Sequence, residues 1–248
     1  MRITHLVDPE EVTIIEKLKN ILTINSDMKW NEKINIDEHK VFFTSDWHLF
    51  HTNILKMNNR PFDDVEQMYQ HILAQVDSEL TDNDYLFILG DVLWGSQDTR
   101  LKNLAERLHC KVCIVLGNHD KQKQISEEYP DGRNFSYFYS ISRADYITVH
   151  STRHNINQEI YLSHYPALTW PNKGRGSWHL HGHTHGNIDT FNRSNYDLRV
   201  DIGLDAEISQ MKILSFEDIQ EYFLKKTNGE HNFCKYMQQI YAANKTLK

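Results

Sequence analysis

The chain has 248 residues, of which 40% are hydrophobic, so it can build one large domain or two small ones with a sizeable core. Its formal net charge of −7 argues against broad affinity for nucleic acids or membrane surfaces, although a local basic patch is not excluded. The N-terminus lacks the long apolar core of a signal peptide, and no stretch approaches a membrane span, so the expected location is the cytoplasm.

The N-terminal residues 1–39 predict a helical extension followed by a connector. Asp8 and Pro9, with acidic residues after them, are typical of a helix start, and an apolar stripe follows to Leu22. Residues 25–39 are polar and are interpreted as a connector to the next element.

Three short apolar runs predict buried strands, and polar residues follow each of them. Val41–Thr44 leads into Asp46 and His48, Tyr85–Leu89 leads into Gly90 and Asp91, and Val112–Leu116 leads into Gly117, Asn118 and His119. Helical periodicity separates these runs, and such alternation predicts parallel strands whose polar ends meet on one edge of a sheet. Each motif alone would equally mark an ordinary turn.

The second half of the chain is richer in histidines. Residues 121–157 are polar and predict no regular element, whereas Glu159–Leu162 predicts a strand that ends near His164. After the next predicted strand, Gly182 removes a side chain where the backbone must come close, and His183 and His185 can then face one site. The preceding His179 and His181 are interpreted as structural or supporting residues.

The remaining elements complete one domain over residues 40–226. Leu198–Gly203 and Met211–Leu214 predict two further strands, and Ser215 with Asp218 predicts the capping pair of a helix. Residues 227–248 carry another apolar stripe and predict a C-terminal helical extension, which is either packed or a contact surface.

Seven polar side chains at the predicted strand ends have the chemistry of metal ligands: Asp46, His48, Asp91, Asn118, His164, His183 and His185. Oxygen and imidazole ligands without thiolate suit manganese, iron, zinc or nickel better than magnesium alone. Seven ligands are too many for one tetrahedral ion and fit two divalent ions with a bridging carboxylate. Cys110 and Cys113 have the spacing of a redox or zinc half-site, but no second pair exists and they are interpreted as core residues.

In this order the motifs resemble those of the calcineurin-like metallophosphoesterase superfamily, and the match covers about residues 40–214. The chain looks closest to the small bacterial and phage phosphoesterases. The resemblance implies an α/β (α+β) fold in which two mixed β-sheets pack as a sandwich flanked by helices, with a dimetal site at the strand ends. Residues 40–226 would then be the catalytic domain, and the two helical extensions lie outside the match.

The resemblance also implies roles for individual residues. One ion would be held by Asp46, His48, Asp91 and His185, and the other by Asp91, Asn118, His164 and His183, so that Asp91 bridges. His119 would act as a general acid toward the leaving oxygen. Asp120 is interpreted either as orienting His119 or as a capping residue. Arg60, Lys173 and Arg175 are candidate contacts to the substrate phosphate, each of which could instead be solvated surface.

A dimetal-dependent phosphoester hydrolase is therefore expected, in which a hydroxide shared by the ions attacks phosphorus. We expect a small phosphodiester substrate, because the Asp-Arg-Gly motif of the protein phosphatase branch does not follow Asp91. The alternatives are a phosphomonoesterase, a nuclease on the same site, which the acidic charge disfavours, and a metal-binding scaffold without catalysis. The sequence leaves the substrate, the native metals and the oligomeric state open.

Overall fold

The computed structural model describes residues 32–95, 98–120, 126–128, 134–136, 139–195 and 197–227. The helices predicted near the two ends of the chain, in residues 1–31 and 228–248, lie outside the described residues. The described part is a sandwich of two five-stranded sheets with helices around it, and this confirms the expected fold class.

In chain order, the strands are β1 (Glu32–Asn35), β2 (Val41–Thr44), β3 (Tyr85–Ile88), β4 (Lys111–Val115), β5 (Ser126–Glu128), β6 (Asn134–Ser136), β7 (Ser140–Ser142), β8 (Ala144–Ser151), β9 (Ile156–Ser163), β10 (Trp178–His181), β11 (Arg199–Asp201) and β12 (Leu214–Ser215). One sheet has the order β12-β2-β3-β4-β7 and the other the order β1-β8-β9-β10-β11, while β5 and β6 pair as a two-stranded ribbon.

The parallel strands β2, β3 and β4 form the centre of the first sheet, as the alternation of strands and helices predicts. Alternate residues point to opposite faces. Phe43 and Phe87 face the second sheet, with their rings stacked 5.5 Å apart, and pack in one cluster with Leu162. Phe42 and Leu86 face the helices. These strands are buried on both faces, which is why they appear in the sequence as continuous apolar runs.

The described helices are α1 (Ile54–Met57), α2 (Val65–Glu79), α3 (Asp98–Arg107), α4 (Asp189–Ser194) and α5 (Phe216–Lys226). The Asp64 side chain caps α2 by accepting a hydrogen bond from the Gln67 N–H at 2.8 Å. Ser215 and Asp218 form the predicted capping box at the start of α5. In the part of the chain that the structure describes, none of the helices combines the length and apolarity needed to cross a membrane.

Loops from both sheets meet at one end of the sandwich. The Asp46 N–H donates to the Gly90 carbonyl at 3.0 Å, which joins the loops after β2 and β3. The Gly182 N–H donates to the His164 carbonyl at 3.0 Å, which joins the loops after β9 and β10. The two sheets are linked where Ser45 pairs with Gly203, just beyond β2 and β11. The strand ends therefore converge on one place, as the sequence predicts.

Several elements differ from the sequence prediction. β1 lies within the predicted connector 25–39 and pairs with β8, so the boundary at residue 40 cuts one strand from its sheet. β7 and β8 lie within the stretch 121–157, for which no regular element was predicted. The predicted strand Met211–Leu214 is wrong over most of its length, because Met211 turns with a φ of 66° and pairing is confined to Leu214–Ser215.

Candidate metal centre

The carboxylates of Asp46 and Asp91 are each held by a backbone N–H on one oxygen. Asp46 Oδ2 accepts from the His183 N–H at 2.9 Å, and Asp91 Oδ1 accepts from the His119 N–H at 2.9 Å. Asp46 Oδ1 has no hydrogen-bond partner among the described residues. Asp91 Oδ2 instead lies 3.6 Å from both His48 Nε2 and His164 Nε2. Each carboxylate therefore presents one oxygen to the histidines.

Asp46, His48 and His185 form the first group of possible ligands. Asp46 Oδ1 lies 3.8 Å from His48 Nε2 and 3.8 Å from His185 Nε2. These separations are too long for hydrogen bonds. They fit two ligand atoms on one ion, since oxygen and nitrogen ligands lie about 2.0–2.2 Å from zinc, for example.

Asp91, Asn118, His164 and His183 form the second group. Asn118 Oδ1 lies 2.9 Å from His164 Nε2 and 3.0 Å from His183 Nδ1. The other ring nitrogen of His164, Nδ1, is 2.7 Å from the Leu89 carbonyl, which can only accept, so it carries the proton of the neutral ring. His164 Nε2 and Asn118 Oδ1 are then two acceptors side by side, and a cation between them satisfies both.

Asp91 Oδ2 lies between the two groups, because it is 3.6 Å from a histidine of each. One oxygen of Asp46, one of Asp91 and a nitrogen of His164 also lie within 4.8 Å of one another. The structure therefore brings all seven predicted ligands together, with Asp91 Oδ2 beside a histidine of each group, while the bridging role of Asp91 stays a prediction.

The ligand-bearing loops have an unusual backbone. Positive φ angles occur at Asp46 (57°), His48 (49°), Asp91 (53°), His183 (70°) and His185 (48°). Residues other than glycine rarely adopt this left-handed region, which costs about 1–3 kcal/mol at each position. Such strain persists only where the surrounding structure holds the backbone in place. Here the strained positions include five residues whose side chains face one another.

Two glycines give the backbone room to approach the carboxylates. A Cβ atom on Gly182 would collide with Ser45 Oγ and Asp46 Oδ2, and one on Gly117 would collide with Asp91 Oδ1. Gly182 was predicted to mark a close approach of the backbone, and the structure confirms it. Gly117 serves the same purpose for the second carboxylate.

Burial sets the charge states in the site. Complete burial raises the pKa of the Asp46 carboxyl to about 7, against the lowering effects of His164 and His185. Burial also lowers the pKa of His48 to about 2, which keeps its imidazole neutral, the form that binds metal ions. Asp46 Oδ1 and both ring nitrogens of His48 lack hydrogen-bond partners among the described residues. Since unpaired buried polar atoms are costly, this donor set fits divalent cations.

Asp205 was not singled out in the sequence, yet it lies directly behind one predicted ligand. Its Oδ2 is 2.6 Å from His185 Nδ1, so that Nδ1 carries a proton and Nε2 faces Asp46. Burial raises the pKa of Asp205, but hydrogen bonds from His185 and Arg60 outweigh this and hold the pKa far below its usual range. Carboxylates commonly orient metal-binding histidines in this way. The available signal was its place in Gly203-Leu204-Asp205, the polar end of another predicted strand.

Arg60 does not have the role that was considered for it. Its guanidinium is fully buried and donates to the carboxylate of Asp205 and to the backbone carbonyls of Asp46, at 2.7 Å, and Trp47, at 2.8 Å. The interpretation of Arg60 as a substrate contact is therefore wrong, because its donors are engaged beneath the site. The loop position of Arg60 in the sequence did not reveal this burial.

Asp120 connects the loop after β3 to the loop after β4 by hydrogen bonds. Its Oδ2 accepts from the Asp91 N–H at 2.7 Å and the Gly117 N–H at 2.9 Å, and its Oδ1 accepts from the Val92 N–H at 3.1 Å. The structure thus favours the capping alternative over the orientation of His119. Asp120 acts on the site by fixing the backbone that carries Asp91.

His119 lies beside the ligands with its side chain 39% exposed, and its Nε2 is 3.9 Å from Asp91 Oδ2. The other predicted substrate contacts belong to a surface turn. Lys173 Nζ pairs with Asp197 at 2.8 Å and donates to the Leu168 carbonyl at 2.9 Å. Arg175 is exposed in the same turn. The catalytic role of His119 and the contacts of these two cations with substrate stay predictions.

The residues interpreted as structural are buried, apart from Cys110, which is partly buried. His179 accepts a hydrogen bond from the Ala167 N–H at 2.9 Å, and His181 Nδ1 is 2.9 Å from the Gly182 carbonyl, which fixes the start of the His183 loop. Cys113 lies inside β4, and burial raises the pKa of both its thiol and that of Cys110, which agrees with core positions rather than a reactive pair.

Comparison with known proteins matches residues 39–207 to the calcineurin-like phosphoesterase family. The gene 66 protein of Mycobacterium phage L5 is 27% identical over 184 residues, which cover 66% of this chain and 86% of that protein. An uncharacterized protein of Methanocaldococcus jannaschii is 35% identical over 83 residues, or 33% of this chain and only 47% of that protein. The crystal structure of a protein of unknown function from Aquifex aeolicus is similar with a TM-score of 0.54 and 25% identity, covering 74% of this chain and 99% of the other.

Proposed function

Because the chain belongs to the calcineurin-like phosphoesterase family, we propose that it is a dimetal-dependent phosphoesterase that hydrolyses small phosphodiesters. The observation that carries the proposal is that carboxylate oxygens and histidine nitrogens lie close together without forming hydrogen bonds to one another. Asp46 Oδ1 lies 3.8 Å from the Nε2 atoms of His48 and His185, and Asp91 Oδ2 lies 3.6 Å from the Nε2 atoms of His48 and His164. Such an arrangement is unfavourable without cations and suited to two of them.

The chain offers two sets of ligands that share one carboxylate. One set is Asp46, His48, Asp91 and His185, and the other is Asp91, Asn118, His164 and His183. Their oxygen and imidazole donors suit manganese, iron, zinc or nickel. Bound divalent ions would supply a water of lowered pKa and would neutralise charge on the phosphoryl oxygens.

His119 is the residue we assign to the leaving group. Its backbone N–H fixes Asp91, while its side chain stays exposed at the edge of the ligand cluster. A proton held at Nε2 can therefore reach the leaving oxygen of a substrate bound there, and its transfer avoids an alkoxide product. In this proposal the backbone of His119 holds the Asp91 carboxylate in place, and its side chain donates the proton.

The engagement of Arg60 and Lys173 by carboxylates supports a diester substrate. A phosphomonoester dianion brings more charge than a diester monoanion, and fixed guanidinium groups are well suited to bind it. The guanidinium of Arg60 is occupied by Asp205, and the ammonium of Lys173 is paired with Asp197. Diester hydrolysis makes the smaller demand on cations other than the metals.

The test is a metal-stripping experiment on the full chain. The protein is chelated, dialysed and analysed for metals, and then reloaded with manganese. It is assayed on bis-aryl and mono-aryl phosphates, plasmid DNA and oligonucleotides. We expect activity to disappear with the metals and return with manganese, with the small diester as the best substrate. Full turnover by metal-free protein would refute the metal-dependent function, and preferred cleavage of plasmid or oligonucleotide would identify a nuclease instead.

A further inference from the structure

Trp94 is an exposed tryptophan at the edge of the candidate metal centre. The residue is 37% exposed, whereas the described tryptophans Trp47, Trp170 and Trp178 are at most 6% exposed. The backbone at Trp94 is fixed, because its N–H donates to the Leu49 carbonyl at 3.0 Å. The part of this large aromatic side chain that stays exposed contributes nothing to the core, and its fixed position beside the candidate metal centre favours a role in binding.

The indole of Trp94 is supported from one side by His51. The two rings are nearly parallel, with an interplanar angle of 7° and centroids 3.9 Å apart. His51 is itself 9% exposed, so the imidazole is a buried support and not a second exposed ring. This stacking holds the indole in one orientation, and a ligand that contacts it need not first order the side chain.

Trp94 is also close to the residue assigned to the leaving group. Its ring centroid lies 4.5 Å from that of His119 and 6.2 Å from that of His48. If the His119 side chain protonates the leaving oxygen, then the atoms attached to that oxygen lie within reach of the neighbouring indole. A flat apolar group at this place would remove the exposed ring from water and could stack on it.

We propose that Trp94, supported by His51, is a binding platform for a planar aromatic leaving group, so that the preferred substrate is a phosphodiester whose leaving alcohol carries an aromatic ring. This inference rests on the proposed phosphodiesterase function. Two kinds of leaving alcohol carry such a ring: a phenol, in which the ring is joined to the ester oxygen directly, and a nucleoside, in which it is joined through a sugar. Both sources share the ring that the platform recognises.

The experiment compares leaving groups on one type of diester. Methyl phosphodiesters are prepared with a phenolic leaving group, a fluoroalkyl leaving group of matched acidity and a nucleoside leaving group. kcat/KM is measured with the manganese-loaded full chain. In Trp94→Leu, which keeps apolar bulk without a ring, we expect the preference for the phenol over the fluoroalkyl group to fall about five- to tenfold. Trp94→Phe should keep most of that preference. A larger loss for the nucleoside ester than for the phenyl ester would identify the nucleoside as the source of the ring.

The matched control is Tyr139→Leu. Tyr139 is 42% exposed, and its N–H donates to the Val112 carbonyl near the start of β4, whereas His119 follows the other end of that strand. This variant should keep the wild-type preference. The proposal is overturned if Trp94→Leu keeps the preference, if it slows aromatic and fluoroalkyl esters equally, or if Tyr139→Leu lowers the preference as much.

A binding measurement separates this proposal from the proposed function. Calorimetry compares phenylphosphonate and methylphosphonate, which carry no ester bond to hydrolyse, on the manganese-loaded wild type and Trp94→Leu. A phenyl preference that Trp94→Leu loses supports the platform even if no diester is hydrolysed, which would refute only the phosphodiesterase function. An equal affinity for both phosphonates in the wild type would refute the platform, whatever the activity.

Discussion

The guanidinium of Arg60 grips both carboxylate oxygens of Asp205, with Nε 2.8 Å from Oδ1 and Nη2 2.7 Å from Oδ2. The same guanidinium donates to the Asp46 carbonyl, and the same carboxylate lies 2.6 Å from His185 Nδ1. This buried ion pair thus connects two predicted ligands of one metal ion through residues that are not among the predicted ligands.

We predict that Asp205→Asn weakens metal binding by about 10- to 100-fold, the usual effect of removing a partner of a metal-binding histidine. The variant also leaves the Arg60 charge buried without its partner, so the free energy of unfolding should fall by about 3–5 kcal/mol. Metal titration of the folded protein and chemical denaturation measure the two effects.

The control for this prediction is Asp77→Asn. Asp77 forms an ion pair with Arg107 at the surface, with side chains 41% and 44% exposed. Since exposed pairs contribute at most about 1 kcal/mol, this variant should change little in either measurement. Wild-type metal affinity in Asp205→Asn would contradict the role given to Asp205.

Asp91→Asn and His119→Ala should separate metal binding from proton transfer. Asp91 Oδ2 lies near histidines of both ligand groups, so its loss should weaken both metal sites. His119→Ala removes only the exposed side chain and should keep the metals while turnover falls by roughly 10²–10⁴-fold. Metal content and rate are measured on the same samples. If His119→Ala emptied a site, the assignment of His119 as a proton donor would be wrong.

Gly182→Ala should disrupt the first ligand group by a steric clash, without removing any ligand. The added Cβ would meet Ser45 Oγ and Asp46 Oδ2, and the carboxylate would have to move. We expect reduced metal content with the overall fold kept, as seen by metal analysis and circular dichroism. Gly95→Ala is the comparison. Its Cβ would meet nothing within 4 Å among the described residues, so the strain from its φ of 87° falls on the backbone and displaces no predicted ligand. Equal metal content in both variants would show that the site tolerates a displaced Asp46.

We predict a preference for diesters when matched bis-aryl and mono-aryl phosphates are compared at one pH with one metal. The reason is the engagement of Arg60 by Asp205, which withholds a fixed guanidinium from the second charge of a monoester. The measurement is kcat/KM for each substrate. A tenfold advantage for the monoester, about 1.4 kcal/mol of transition-state stabilisation, would reverse the prediction.

The seven candidate ligands were predictable because each lies within a few residues of the end of a predicted strand. Asp46 and Asp91 stand beside continuous hydrophobic runs, and parallel pairing brings such strand ends together whatever the details of the helices. The local pattern and the fold agree there. The capping pair Ser215 and Asp218 was predictable from local sequence alone, since a cap depends on the first turn of one helix.

Other features depended on distant partners and were missed. β1 is a short edge strand in which only Ile34 is buried, so its sequence resembles a polar connector. Arg60 and Asp205 are 145 positions apart and are joined only by the fold. β8 carried a detectable signal, since Tyr146, Ile147 and Val149 favour strands, but the polar stretch before it concealed the element.

Five predicted ligands have a left-handed backbone, which lowers the stability of the protein while it positions their side chains: Asp46, His48, Asp91, His183 and His185. Glycine adopts such angles without steric cost, so glycine at one of these positions would relieve strain in the metal-free chain while it deleted a ligand. The sequence that would make the metal-free protein most stable therefore differs from the sequence that binds metal. Metal ions bind the folded state and stabilise it by mass action, which offsets the cost of the strained backbone. The free energy of unfolding should therefore rise more with metal concentration in this chain than in variants that lack a predicted ligand.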